Sequence, residues 1–191
     1  MWRICFNTEI KNEKENEKEK ENGLIREVLS GGECAFRELT GPYIPALYNY
    51  IKIKAPGHAD TEDILQETML AVWQGLAGYS GQSAFKTWMF SVAKRKIADF
   101  YRKSRAGIEF DGEIPEDIAA ADVWEATDGN LDLYDALSKL PEEHRELIYL
   151  VFYAGLTYEE IQNLTGMKTG TIKSRIHHIK KTLYYMLTGG D

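Results

Sequence analysis

The sequence predicts an all-α chain made of two small helical domains joined by a flexible acidic linker. Three observations predict it. Nothing alternates apolar and polar residues like a strand for long, whereas apolar residues recur at helical spacing from about Leu24 to Arg105 and again from Leu131 to Leu187. Glycine and proline punctuate the first stretch at Gly41-Pro42, at Ala55-Pro56-Gly57 and from Gly78 to Gly81. Between the two stretches, residues 106–130 are rich in Gly, Asp, Glu and Ala with a single proline, Pro115.

Taken in order, residues 9–22 alternate Glu, Lys and Asn with almost no apolar side chain. Such a segment cannot bury enough surface to offset its ordering entropy, so residues 1–23 are expected to be disordered. A charged helix laced with i, i+4 pairs is the alternative, though it would lack a packing face. Residues 24–105 form the first helical domain and 131–191 the second. Pro141 suits the first position of a helix, with Glu142 and Glu143 in the turn where carboxylates complement the dipole.

The second domain holds the most informative stretch, residues 156–181. Thr157 and Glu160 make a capping box, so a helix starts there. Ile161 and Leu164 give it a buried side, and Gly166 supplies a tight turn. The next helix carries Ile172, Ile176, Ile179 and Leu183 as one apolar stripe. Gly170, Thr171, Ser174, His177, His178 and Lys181 lie opposite, flanked by Lys173 and Arg175. From Lys168 to Lys181 there are five positive charges and no acid. A helix packed on one side and basic on the other is what a DNA major groove admits. A plain solvated basic face is the bland alternative.

In the first domain, residues 60–76 place Ile64, Leu65, Met69, Val72, Trp73 and Leu76 on one side of a helix. Asp63, Gln66, Glu67, Leu70 and Gln74 share the other, an acidic face with one leucine at its centre. That arrangement suits a protein interface with a charged rim, or else a solvated face with a stray leucine. Along residues 84–105, Phe85, Trp88, Met89, Val92 and Ala93 turn inward with Phe100. Thr87, Ser91, Lys94, Arg95, Arg102 and Arg105 gather elsewhere as a phosphate-tracking face. The polar loop just before, Tyr79, Ser80, Gly81, Gln82 and Ser83, could hold an unstacked base.

Bulk properties narrow the classes. The net charge of −7 would argue against nucleic acid if it were uniform. Instead, Lys94 to Arg105 holds six bases and one acid, while residues 106–132 hold nine acids and no base. Cys5 and Cys34 make no disulfide framework and no metal-ligand spacing. No metal and no cofactor are expected: His177 and His178 are adjacent, hence on different sides of their helix, and no ligand set accompanies them. Met1 to Phe6 is too short for a signal-peptide core, and no apolar stretch reaches membrane-spanning length, so a cytoplasmic protein is expected.

Taken together, these residues resemble the small, extracytoplasmic-function (ECF) group of bacterial sigma factors. Asp60, Asp63 and Glu67 resemble the region 2 helix that grips the RNA polymerase clamp. Tyr79 to Trp88 resembles the loop and helix for the melted −10 element, and Ile97 to Lys103 the end of region 2. Leu140 to Leu147 and Leu156 to Arg175 resemble region 4. The linker cannot hold the extra helical domain of larger sigma factors. Tyr79 stands where the family often has Phe, and Lys86 where Arg is frequent.

The resemblance implies core-polymerase contacts by Asp60, Asp63, Gln66, Glu67 and Leu70. It implies −10 contacts by Tyr79, Ser80, Gln82, Ser83, Lys94, Arg95 and Arg102, and −35 contacts by Lys168, Thr171, Lys173, Ser174, Arg175 and His178. Thr171, Ser174 and His178 would reach base edges, Lys173 and Arg175 phosphates. The acidic linker would run through polymerase channels that carry RNA. Core RNA polymerase, promoter DNA and an anti-sigma factor are the implied partners, with no bond chemistry of the chain's own. A DNA-binding regulator that is not a polymerase subunit would not need residues 60–105. An enzyme using Asp63 and Glu67 would need a pocket around them.

Overall fold

The computed structural model describes the backbone of residues 2–107 and 131–189 and the side chains of residues 15–103 and 132–189. Among these residues the chain is helical without a strand. The first domain comprises α1 (Trp2–Leu29), α2 (Glu33–Thr40), α3 (Ile44–Lys54), α4 (His58–Gly75) and α5 (Phe85–Gly107). The second comprises α6 (Leu131–Ser138), α7 (Glu142–Ile148), a π-helical turn at Tyr149–Tyr153, α8 (Tyr158–Thr165) and α9 (Thr169–Thr188). The expected breaks are where glycine and proline put them, including 3-10 turns at Gly41–Tyr43 and Leu76–Gly78. Pro141 is the N-cap of α7, one position earlier than expected, and its fixed φ serves there as the chain turns into the helix. Of the expected linker, residues 108–130 lie outside the described residues.

The expectation of disorder over residues 1–23 is corrected. Residues 2–23 are the first part of α1, which runs into the first domain without a break. The expectation missed the packing face supplied further along the same helix, where Ile25 and Val28 are buried and Leu24 is half-buried. Helix α1 packs on α2 and the turn at Leu76–Gly78.

Helices α3, α4 and α5 enclose the first core, in which Leu47, Ile51, Val72, Phe85, Met89 and Phe90 are fully buried. Two buried threonine hydroxyls on α4 are satisfied locally: Thr68 donates to the Ile64 carbonyl at 2.7 Å and Thr61 to the Gly57 carbonyl at 2.8 Å. In the second domain Leu150, Ile161, Ile172 and Ile179 are fully buried. The two sets join in one continuous apolar cluster, because α3 packs on α7 and α5 packs on α8. Truncating a fully buried member such as Ile172 to alanine costs about 2–5 kcal/mol.

Candidate nucleic-acid interface

The helix pair α8–α9 is built by local rules. Glu160 N–H donates to Thr157 Oγ1 at 3.2 Å while Thr157 N–H donates to Glu160 Oε2 at 2.8 Å, completing the capping box. Gly166 closes α8 at φ +78°, a conformation that disfavours any residue with a Cβ. Gln162 also accepts from the Thr169 N–H through its side-chain oxygen at 3.0 Å, so it caps the start of α9. Sequence spacing alone did not flag that role, because the bond crosses the turn.

With Ile172, Ile176 and Ile179 buried, the opposite face of α9 is open. Lys168, Thr171, Lys173, Ser174 and His178 are all exposed on it. Lys173 Nζ sits 5.9 Å from the Tyr158 ring centroid. Arg175 departs from this group: it is half-buried and its guanidinium pairs with Glu143 of α7 at 3.2 Å. Its place on the helix flank turns it toward α7 rather than outward.

The loop ahead of α5 is closed by a bond from Tyr79 Oη to the Ser83 carbonyl at 2.6 Å, with Gly81 at φ +70°. Ser80 and Gln82 are exposed, and Ser83 is half-buried. Beneath the loop lies an aromatic cluster. Tyr79 is 5.7 Å from Phe85 and 5.1 Å from Trp88, and Phe85 is 6.2 Å from Tyr43. Burial and, secondarily, the Glu21 carboxylate push the Tyr79 phenol up.

The basic face of α5 differs from its expected form. Thr87, placed on that face by the helical wheel, is buried and donates to Glu160 Oε1 of α8 at 2.7 Å. Lys94 Nζ donates to the Leu164 carbonyl at the end of α8, at 2.8 Å, and Lys86 donates to the Ala154 carbonyl. Helix carbonyl ends carry partial negative charge, so they satisfy these ammonium groups much as phosphates would. Burial lowers the Lys86 ammonium, with Glu160 opposing. For Glu160, burial is outweighed by bonds from the Thr157 N–H and the Thr87 hydroxyl, which hold its carboxyl below the ordinary range. Arg95 bonds the Ser91 carbonyl at 3.4 Å, and Arg102 pairs with Asp99 at 2.8 Å; both arginines are exposed.

A second cross-domain group lies nearby. Lys54 Nζ pairs with Glu142 at 2.8 Å and Glu146 at 2.6 Å, Tyr50 Oη donates to Glu146 at 3.0 Å, and Tyr149 Oη donates to the Ala46 carbonyl at 2.8 Å. Burial opposes the charge on Lys54, but the Glu146 and Glu142 carboxylates raise it above the usual lysine value. The cleft beside this group, about 620 Å³, is lined by both Lys94 and Arg175, residues expected to touch different DNA elements.

On α4, Asp63, Gln66, Glu67 and Leu70 are exposed and Asp60 is half-buried. Leu70, at 57% exposure, stands among the polar groups as the wheel placed it. Glu67 meets Lys96 at 3.1 Å and Lys103 at 3.5 Å, and the Lys96 bond and Lys103 charge hold its carboxyl low. Trp73 was expected on the packed side. It does meet Phe36 edge-on at 4.9 Å but keeps 36% of its surface exposed. Among the described residues, no group of His, Cys, Asp and Glu is arranged to hold a metal ion, and no helix is long and apolar enough to cross a membrane.

Comparison with known proteins gives the same two-part division. The family model described as sigma-70 region 2 matches residues 39–107, and that described as sigma-70 region 4 matches residues 130–183. The chain is 32% identical over 153 residues to "ECF RNA polymerase sigma factor RpoE" of Cereibacter sphaeroides, covering 75% of this chain and 81% of that one. It is likewise 32% identical to "ECF RNA polymerase sigma factor SigL" of Mycobacterium tuberculosis, covering 77% and 85%. Among solved structures it resembles the sigma factor RpoE of Bartonella quintana, determined with the anti-sigma factor NepR. The TM-score there is 0.60 at 25% identity, over 80% of this chain and 96% of that one. The fold also matches CnrH, determined with the cytosolic domain of CnrY. In that case the TM-score is 0.62 at 23% identity, over 90% and 99% of the two chains.

Proposed function

We propose a division of labour among the residues of this chain, which belongs to the ECF sigma factors of bacterial RNA polymerase. As such a factor it binds core RNA polymerase and directs transcription initiation at promoters. The single observation that supports the residue-level reading is that one chain carries two separate polar surfaces of the kind nucleic acid could occupy. One is the open polar face of α9. The other is the aromatic-backed loop Tyr79–Ser83 ahead of the basic helix α5.

In this reading α9 enters the major groove of the −35 element. Thr171, Ser174 and His178 meet base edges, and Lys168 and Lys173 meet phosphates. Arg175 joins them only after releasing Glu143. The −10 strand lies along the loop, where Tyr79, Ser80, Gln82 and Ser83 hold an unstacked base, with Lys94, Arg95 and Arg102 following the backbone. Lys94 becomes available when α8 withdraws its Leu164 carbonyl, so promoter binding requires the two domains to part. The face of α4 around Leu70, with Asp60, Asp63, Gln66 and Glu67, docks on core polymerase. An anti-sigma factor is the natural inhibitor of such a chain, as the company of the Bartonella relative illustrates. The chain's own role is binding, with no catalytic group and no cofactor, and it works in the cytoplasm.

Run-off transcription with core polymerase over a pool of promoter fragments tests this reading. Discrete transcripts that require the chain are expected. Their absence, with core polymerase shown active by another sigma factor, would overturn it.

A further inference from the structure

The Glu/Lys-rich N-terminal helix has no part in the assignments above, yet it reaches the −10 loop's foundations. On α1 the residues Glu17, Glu21, Leu24, Ile25 and Val28 share one face at helical spacing. Ile25 and Val28 are buried in the first domain, so the rigid helix carries Glu21 along the domain's flank. There Tyr43 Oη donates to Glu21 Oε2 at 3.1 Å, while Lys20 pairs with Glu38 of α2 at 2.9 Å. The Tyr43 ring lies against Phe85, Phe85 against Tyr79 and Trp88 at 5.7 Å each, and Tyr79 closes the loop through the Ser83 carbonyl. Burial and then the Glu21 carboxylate push the Tyr43 phenol up to about 12, in keeping with a bond formed by the neutral hydroxyl.

We propose that Glu21 is a positioning residue for the −10 site: through Tyr43 it holds the aromatic cluster on which the Tyr79–Ser83 loop rests. A carboxylate acceptor gives this bond more strength and direction than water would, and ring-to-ring packing passes the constraint to the loop. The charged N-terminal segment thus serves strand capture although it need not touch DNA. This proposal rests on the assignment of that loop to the −10 strand.

The test uses holoenzyme assembled from the full chain and core polymerase. The probe is a fork-junction DNA from a promoter recovered by run-off transcription, with its −10 non-template strand single-stranded and carrying 2-aminopurine. Glu21→Ala and Tyr43→Phe are each expected to weaken strand capture by about fivefold, the scale of one lost hydrogen bond. The double variant loses no more than either single one, because both break the same bond. Glu21→Gln stays within about twofold of the parent, since its amide oxygen still accepts from Tyr43. Affinity for core polymerase and for a −35 duplex is unchanged in all four. Parent-like capture by both single variants, or additive losses in the double, would overturn the role of Glu21. So would tighter capture by Glu21→Gln, which would mean the site feels the charge rather than the bond. A parent chain that supports no transcription would overturn the −10 assignment and this proposal with it.

Discussion

Helices α5 and α9 both set basic and hydroxyl groups opposite a buried apolar stripe, yet those groups meet different surroundings. On α9, Lys168, Thr171, Lys173, Ser174 and His178 face solvent. On α5, Thr87, Lys94 and, one position before Thr87, Lys86 are bonded across the domain boundary to Glu160, the Leu164 carbonyl and the Ala154 carbonyl. Composition does not separate the two helices. What separates them is that α8 and the π-helical turn before it rest against α5, offering the Glu160 carboxylate and the Ala154 and Leu164 carbonyls as acceptors. A basic helix face in a two-domain protein is therefore engaged or open according to its neighbour.

The largest expected effect lies outside both helices, on the exposed face of α4. Asp63→Arg with Glu67→Arg should abolish core-polymerase binding in a pull-down, a loss of about a hundredfold or more from like-charge reversal across an interface. The double variant should keep the parent's thermal unfolding and its −35 duplex affinity. Normal polymerase binding would remove these residues from the docking face.

Next comes the mask itself. Glu142→Gln with Glu146→Gln removes the carboxylate charges paired with Lys54 and weakens the closed arrangement by about 1–2 kcal/mol, the scale of partly exposed charge-assisted bonds. The free chain should expand in small-angle scattering and bind a single-stranded −10 oligonucleotide about tenfold more tightly. Its affinity for −35 duplex should barely change, since α9 is already open. Equal oligonucleotide affinity in parent and variant would show that α5 is not masked.

A smaller effect contrasts two lysines directly. Lys173→Ala should weaken binding of the free chain to any duplex and reduce the salt slope by about one. Lys94→Ala should leave that slope unchanged, because its ammonium is bonded to protein rather than phosphate. The comparison between α5 and α9 fails if both variants lower the slope equally.

The smallest effect is acid opening. The folded-state carboxyl of Glu160 titrates below its ordinary value. Its contribution is therefore present above the unfolded value and lost as pH falls through the lower, folded one. Scattering should show the domains separating as pH drops below the ordinary carboxylate range, and Glu160→Gln should weaken that dependence. An undiminished acid transition in the variant would assign the opening to other groups.

Much of the second domain was legible because its rules are short-range. Thr157 and Glu160 are three residues apart, Gly166 marks the turn, and the isoleucines repeat at helical spacing. The acidic face of α4 with Leu70 was equally readable from periodicity. The fate of Thr87 was not, because its partner Glu160 lies 73 residues on. No periodicity distinguishes a threonine that meets water from one that meets a carboxylate of another domain. The N-terminal helix, held only as the alternative to disorder, lacked a visible packing face for a related reason. Residues 9–22 carry little apolar surface of their own, and the helix containing them is tied down by Ile25, Val28 and the Glu21–Tyr43 bond.

By itself, then, the sequence determined which elements form and which side chains share a face, since helix caps, turns and apolar periodicity act within one or two turns of chain. It determined the two-part architecture and the family in the same way. Only the tertiary structure decided which of those faces remain free. That depends on where α8 and α1 come to rest, through bonds between residues 22 to 73 positions apart, whose pairing no local spacing encodes.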